Sequence, residues 1–383
     1  MTTQSIRKIL THDFLLACLA QFTFTFVLHI LTPTLPIYLS RLGSGEVEIG
    51  VLIGSFSVSS LVLRPFVGRA LSKIPEKNFM IAGAFLFALT SVAFFLTPPF
   101  LPFLIVRVFQ GIGFAFFHTA VFTLIANISS EAHRGQSVSY FTLSFHVSGA
   151  LAPSLGMFLI NHFSFTLLFF VCFGLSLCSL FITYKLRSRQ VAPLQDSSIE
   201  DGCFLDRDAL PPSIVSSLSF FIWGSLTTFF PLYAINHGVA NPGLFFSTIA
   251  IMLILGRVFG GKILDLYRGE RIILPCLITS IISMVILAFS KTLPMFILVA
   301  MIWGIGQAFL MPAIVVYILD RVGSSPSLAM GTFTAITDLG LILGPVTMGI
   351  IIHTTSYLIM FLCLALIGII NVSYFYFFVR SKK

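Results

Sequence analysis

Asp338 stands in the middle of a long apolar run, and no other acid of the chain lies so far from the ends of such a run. A carboxyl group kept from water is suited to carry a proton at physiological pH. His146 occupies the middle of another run, 192 positions earlier. Imidazole titrates near neutrality when nothing perturbs it. These two residues are candidates for moving protons. Each also has a plainer reading: a buried carboxyl or a neutral imidazole bonded to a nearby hydroxyl, such as Ser57 or Ser59 for Asp338. Arg107 is the third charged candidate. An arginine well inside an apolar run costs about 2.5–3.5 kcal/mol on insertion scales. It must therefore face a polar interior or snorkel to an interface.

Four runs carry polar and aromatic residues at helical spacing. The first shows Gln21, Thr25, His29 and Thr32, and the fourth Arg107, Gln110, Phe114 and His118. The seventh shows Trp223, Thr227 and Phe230, and the tenth Trp303, Gln307 and Met311. Residues three or four apart share one helix face. Both tryptophans of the chain sit on these stripes. Gln110, Phe114 and His118 correspond to Trp303, Gln307 and Met311 at an offset of 193. Such stripes either line a site or pack helix against helix.

The elements that must hold these residues are membrane helices. Hydrophobic residues make up 57% of the 383 and charged ones 9%. A soluble fold of this length could not hide so much apolar surface. A helix crosses a bilayer core with about 20 apolar residues. Twelve such runs are present, at 13–39, 49–70, 78–97, 100–127, 136–160, 164–185, 213–236, 243–264, 271–290, 293–319, 328–352 and 355–379. Alternating strand patterns are absent, so the fold class is an all-α membrane protein.

The chain also repeats itself. Arg64-Pro-Phe-Val-Gly68-Arg-Ala-Leu71 returns as Arg257-Val-Phe-Gly-Gly261-Lys-Ile-Leu264, with four of eight positions identical. Gly111-Ile-Gly-Phe-Ala-Phe116 returns as Gly304-Ile-Gly-Gln-Ala-Phe309, with five of six identical. The chain thus divides into two six-helix halves, 1–185 and 213–383, joined by an acidic linker at 186–212. Paired apolar halves of this kind usually form a transporter with its site between the repeats.

Seventeen of the 22 basic residues fall on or beside the side that both termini share, and only Arg41 and Lys291 fall on the opposite side. The positive-inside rule places that shared side in the cytoplasm, the protein lying in the cytoplasmic membrane. The net charge of +8 then reports topology and excludes a nucleic-acid partner. The six cysteines show no CxxC and no histidine pairing, so no metal or redox centre is expected. No P-loop, HExxH or cofactor loop is present, so neither an enzyme nor a cofactor is expected.

These motifs resemble the major facilitator superfamily, in its twelve-span drug/proton antiporter-like efflux branch. Three motifs carry the resemblance. The loop after span 2 reads Gly68-Arg-Ala-Leu-Ser72-Lys73, with Ser72 where the family has an acid, while the second copy, Gly261-Lys-Ile-Leu-Asp265, keeps the acid. Span 4 reads Arg107-Val-Phe-Gln110-Gly111-Ile-Gly113. Span 5 reads Gly149-Ala-Leu-Ala152-Pro153-Ser-Leu-Gly156, and span 11 has Gly340-Leu-Ile-Leu-Gly344-Pro345-Val-Thr-Met-Gly349.

The resemblance implies a major facilitator fold of two pseudo-symmetric halves, most often a monomer. It implies a cavity lined by spans 1, 4, 7 and 10, and therefore by the four stripes. Tryptophan, phenylalanine and methionine faces with a few amides suit a small amphipathic or aromatic molecule. It also implies a proton-coupling role for Arg107 beside Asp338 and His146. Gating elements would be Gly68, Ser72, Arg64, Arg257, Gly261, Asp265, Pro153 and Pro345. The glycine-rich turn would alternatively serve only to let two spans pack closely. The expected activity is export by alternating access, with protons as the coupling partner. An importer or facilitator of a metabolite is the alternative, and a non-transporting receptor or lipid-handling protein a more distant one.

Overall fold

A computed structural model describes residues 11–96, 100–129, 134–187, 206–266, 269–321 and 326–380. Among them the chain forms twelve α-helices. The first six are α1 (His12–Arg41), α2 (Glu46–Ala70), α3 (Glu76–Leu96), α4 (Leu101–Ile128), α5 (Arg134–His162) and α6 (Phe165–Lys185). The second six are α7 (Leu210–Asn236), α8 (Gly243–Leu266), α9 (Gly269–Phe289), α10 (Leu293–Leu319), α11 (Pro326–Thr354) and α12 (Tyr357–Tyr374), the last continued by a π-helical turn at Phe375–Val379. Among the described residues, eleven of these helices are long and apolar enough to cross a membrane, and α8 adds an apolar stretch at Gly243–Gly256. Helix is the form such runs take because it satisfies every backbone group within its own segment.

The repeat is visible in how helices begin and end. Pro102 opens α4 and Pro294 opens α10, each in the first turn, where the missing N–H costs nothing. The Ser164 hydroxyl accepts the Leu167 N–H at the start of α6, and the Ser356 hydroxyl accepts the Ile359 N–H at the start of α12. Past the ends of α1 and α7, the chain turns through Gly43 and Gly238, at φ of 89° and 78°. L-residues with a Cβ rarely adopt that conformation.

The chain divides into two compact units. One comprises Met1–Thr34 and Ser55–Ser197, the other Leu35–Gly54 and Ser198–Lys383. The last turns of α1 and the first third of α2 therefore belong with the second unit. In the first unit α4 lies between α2 and α3. A methyl group on Gly111 would run into the Phe56 carbonyl and the Ser59 hydroxyl of α2. One on Gly113 would sit 3.1 Å from the Gly83 carbonyl of α3. In the second unit α10 lies between α8 and α9 by the same device. A Cβ on Gly304 would stand 2.6 Å from the Met252 Cβ, and one on Gly306 would press on Thr279. The repeated Gly-x-Gly thus allows close packing against two neighbours at once.

Aromatic stacks fill both cores. Phe24 stacks on Phe117 at 3.9 Å in the first unit, and Phe230 on Phe245 at 3.9 Å in the second. On α11, Gly340 and Gly344 face the Ser217 and Phe221 carbonyls of α7, while Gly349 faces the Glu46 carbonyl of α2. Of the expected linker, 188–205 lie outside the described residues. Asp206 is described: its carboxylate accepts the Asp208 and Ala209 N–H groups at the start of α7, and its own N–H donates to the Thr332 hydroxyl.

Candidate substrate and coupling sites

In the first unit, the charged and aromatic residues of α4 meet α2. Arg64 and Phe56 project from α2 because they sit eight positions apart, about two turns along one face. The Arg107 guanidinium lies over the Phe56 ring at 4.8 Å, and that of Arg64 over the Phe114 ring at 5.8 Å. Phe56 and Phe114 are 5.3 Å apart, and Phe114 stacks on His118 at 4.7 Å. Arg107 also donates through Nη1 to the Gln110 Oε1, one turn along α4. That bond fixes the orientation of the Gln110 amide, since only its oxygen can accept. The amide nitrogen then points elsewhere, and it is buried with no hydrogen-bond partner among the described residues.

A second polar group joins α1 to α5. The Ser148 hydroxyl lies 2.9 Å from the Thr25 hydroxyl and 2.8 Å from the His29 Nδ1. Phe145 meets the His29 ring edge-on at 4.7 Å. Thr25 and Ser148 are fully buried. Thr25 and His29 thus turn toward a neighbouring helix. Gln21, one turn earlier, is fully buried, and neither of its amide atoms has a hydrogen-bond partner among the described residues. Ser148 was not singled out from the sequence. Its signal is its place two residues beyond His146 in the same apolar run. His146 is buried, with its ring edge-on to Phe145 at 5.6 Å.

In the second unit, Trp223 of α7 and Trp303 of α10 lie nearly parallel, at 6.5 Å between centroids and 14° between planes. Trp303 is buried, and its Nε1 has no hydrogen-bond partner among the described residues. Trp223 is half-buried and meets Phe246 edge-on at 6.4 Å. The sequence stripe did not include Phe246, which lies on α8. Gln307 donates to the Ser280 hydroxyl of α9 at 3.3 Å. Met311 takes a weak contact from the Ser216 hydroxyl at 3.7 Å, and Ser216 accepts from Thr337 at 2.9 Å. Thr227 bonds back to the Gly224 carbonyl in its own helix. Asp338 is half-buried on α11. Of the three coupling candidates, Arg107 and His146 belong to the first unit and Asp338 to the second.

The gating candidates separate by their surroundings. Among the described residues nothing lies within 4 Å of a Cβ placed on Gly68, so close packing does not explain that glycine. Ser72 donates to the Arg69 carbonyl at 2.7 Å. Pro153 is buried in α5, one turn before Gly156, where an added Cβ would stand 3.0 Å from the Ile30 carbonyl of α1. Pro345 offers its carbonyl to the close approach of Gly50. The side chains at Arg257, Gly261 and Asp265 lie outside the described residues.

The comparisons with known proteins agree with one another. A family profile described as Major Facilitator Superfamily matches residues 17–291 and 213–383. The chain is 24% identical over 358 residues to the staphylopine export protein of Staphylococcus aureus (strain Mu50 / ATCC 700699), covering 89% of each. It is 22% identical over 360 residues to the quinolone resistance protein NorA of Staphylococcus aureus (strain COL), covering 89% of this chain and 90% of NorA. Its backbone is similar to the crystal structure of a point mutant of the nucleoside transporter NupG, with a TM-score of 0.84 at 15% identity, covering 96% of this chain and 100% of that one. These relatives are transporters, not enzymes.

Proposed function

The chain belongs to the major facilitator superfamily and is thus a multi-pass membrane transporter, and from that premise we propose that it exports a small amphipathic or aromatic molecule by alternating access, driven by protons. The names of the two curated relatives, an export protein and a drug-resistance protein, support the outward direction. The observation that carries the aromatic substrate class is the tryptophan pair. Trp223 presents a half-buried indole face, backed by Trp303, whose N–H is left for an acceptor. Large rigid rings contribute wide contact area and tolerate varied shapes. In this reading Trp223, Trp303 and Met311 contact substrate, and Asp338 exchanges the proton. His146 and Arg107 assist that exchange. Both termini lie in the cytoplasm and the protein acts in the cytoplasmic membrane, as its arginines and lysines indicate.

The test uses purified protein in oriented proteoliposomes with an imposed pH gradient. Wild type accumulates an aromatic probe against its gradient, and Asp338→Asn binds the probe but loses accumulation. If Asp338→Asn accumulates probe like wild type at every pH, Asp338 does not carry the coupling proton.

A further inference from the structure

We propose that His29 is a hydrogen-bond acceptor for substrate, its Nε2 kept free of a proton by Ser148, and that the exported molecule is an aromatic carrying a hydroxyl or N–H donor. This role rests on the export reading, whereas its geometry rests on the contact of α1 with α5 alone. Each hydroxyl in that contact has one proton to give. The Ser148 hydroxyl lies 2.7 Å from the Phe145 carbonyl, and the Thr25 hydroxyl 2.8 Å from the Gln21 carbonyl. Carbonyls only accept, so both protons are committed there. The 2.8 Å contact between Ser148 and the His29 Nδ1 then takes its proton from the imidazole. The reverse arrangement, with Ser148 donating to a bare Nδ1, makes the same contact but loses the bond to Phe145. Thr25, 2.9 Å from Ser148, can turn its proton to the serine oxygen without changing this, since that oxygen has two lone pairs. A neutral imidazole carries one proton, so Nδ1–H leaves Nε2 as an acceptor.

Neither helix supplies a counter-charge that would hold this imidazole as a cation. Helix α5 contains no acid, and the one acid of α1, Asp13, stands in its first turn, about 24 Å from His29 along the helix. Ser148 and Thr25 are fully buried, whereas His29 is half-buried. Since Nδ1 faces the buried hydroxyls, the open part of the ring is the side that carries Nε2. Polar groups within membrane helices turn to the bundle interior, away from lipid. Phe145 meets the imidazole edge-on at 4.7 Å and is itself half-buried. It offers an apolar wall beside the acceptor, which suits an aromatic body with a donor at its edge. Thr32, one turn further along the same face of α1, gives its hydroxyl proton to the Leu28 carbonyl, so its oxygen is left to accept as well. Ser148 acts through His29 and is a positioning residue.

The test has two readouts on the full chain. In nitrogen NMR of histidine-labelled protein at neutral pH, with His29→Gln identifying the resonance, Nδ1 should carry the proton and Nε2 should be bare. Ser148→Ala should move the proton to Nε2, and Ser148→Thr should leave it on Nδ1. In equilibrium binding, 2-naphthol and 2-methoxynaphthalene differ in the donor. Wild type should bind naphthol about tenfold tighter, the scale of one hydrogen bond to a partly buried group. His29→Phe and Ser148→Ala should each abolish that preference, and Ser148→Thr should keep it. Where Ser148→Ala fails to fold, the wild-type NMR and the His29→Phe binding pair decide. A proton on Nε2 of wild type overturns the proposal, as do equal affinities for the two probes, a preference that survives His29→Phe, or no binding of either. Naphthol-selective binding without gradient-driven movement keeps the acceptor and removes the export reading. Gradient-driven movement of aromatic compounds with no preference for donors keeps export and removes the acceptor.

Discussion

Helices α4 and α10 are the same object twice, with different chemistry mounted on it. Phe103 matches Phe296 and Val106 matches Val299 at the 193-residue offset, and Gly111 and Gly113 match Gly304 and Gly306. Both phenylalanines are fully buried. Both glycine pairs let the helix press between its two neighbours. Between those shared positions the halves diverge. Arg107 corresponds to Ala300, Gln110 to Trp303, and His118 to Met311. One helix carries hydrogen-bond donors and positive charge; the other carries an indole and a thioether. Packing positions kept their register while residues one turn away from them changed.

This comparison can be broken first at the glycines. Gly111→Val and Gly306→Val should both remove most folded protein, since the added groups meet backbone or branched side chains with little freedom to move. Overpacking of this kind costs about 1–3 kcal/mol or more. The readout is monodisperse yield and thermal midpoint in detergent. Tolerance in one half alone would show that the two wedges are not equivalent.

Next is Ser148→Ala. Ser148 serves both Thr25 and His29, whereas its counterpart 192 residues on is Gly340, which serves only close packing. Loss of the hydroxyl should cost about 1–3 kcal/mol by stranding buried polar partners. A thermal midpoint unchanged from wild type would sink that account. Smaller still are the matched caps. Ser164→Ala and Ser356→Ala should each cost about 1 kcal/mol, and by similar amounts. A large inequality between them would show that the repeat does not extend to the helix starts.

The smallest effect has the opposite sign. Gly68→Ala should stabilise by about 0.5–1 kcal/mol, because the glycine sits within a helix with open space around it. A variant that is more stable but transports poorly would mean Gly68 is needed in another conformation, as a gating residue would be.

Much of the fold was legible in the residues. The helix ends expected from apolar runs fall within a few residues of those observed: the tenth run, 293–319, coincides with Leu293–Leu319, and the first, 13–39, with His12–Arg41. Lipid as solvent makes hydropathy an unusually direct signal. The site was less legible. Thr25 and His29 share a face by spacing alone, yet nothing in the spacing says that Ser148 stands opposite. Trp223 and Trp303 were both expected on their stripes, but their near-parallel stack and the edge of Phe246 needed three helices in place.

The sequence by itself determined twelve apolar runs, a two-fold repeat and the residues that interrupt apolar faces, because each of these is a one-dimensional pattern along a helix or between copies. Only the tertiary structure decided that Arg107 holds the Gln110 amide in one orientation, that Phe56 and Phe114 lie beneath two guanidiniums, and that Gly68 has room while Gly111 has none. Those facts depend on which helix lies opposite and at what distance, and close packing sets both through contacts between residues far apart in the chain.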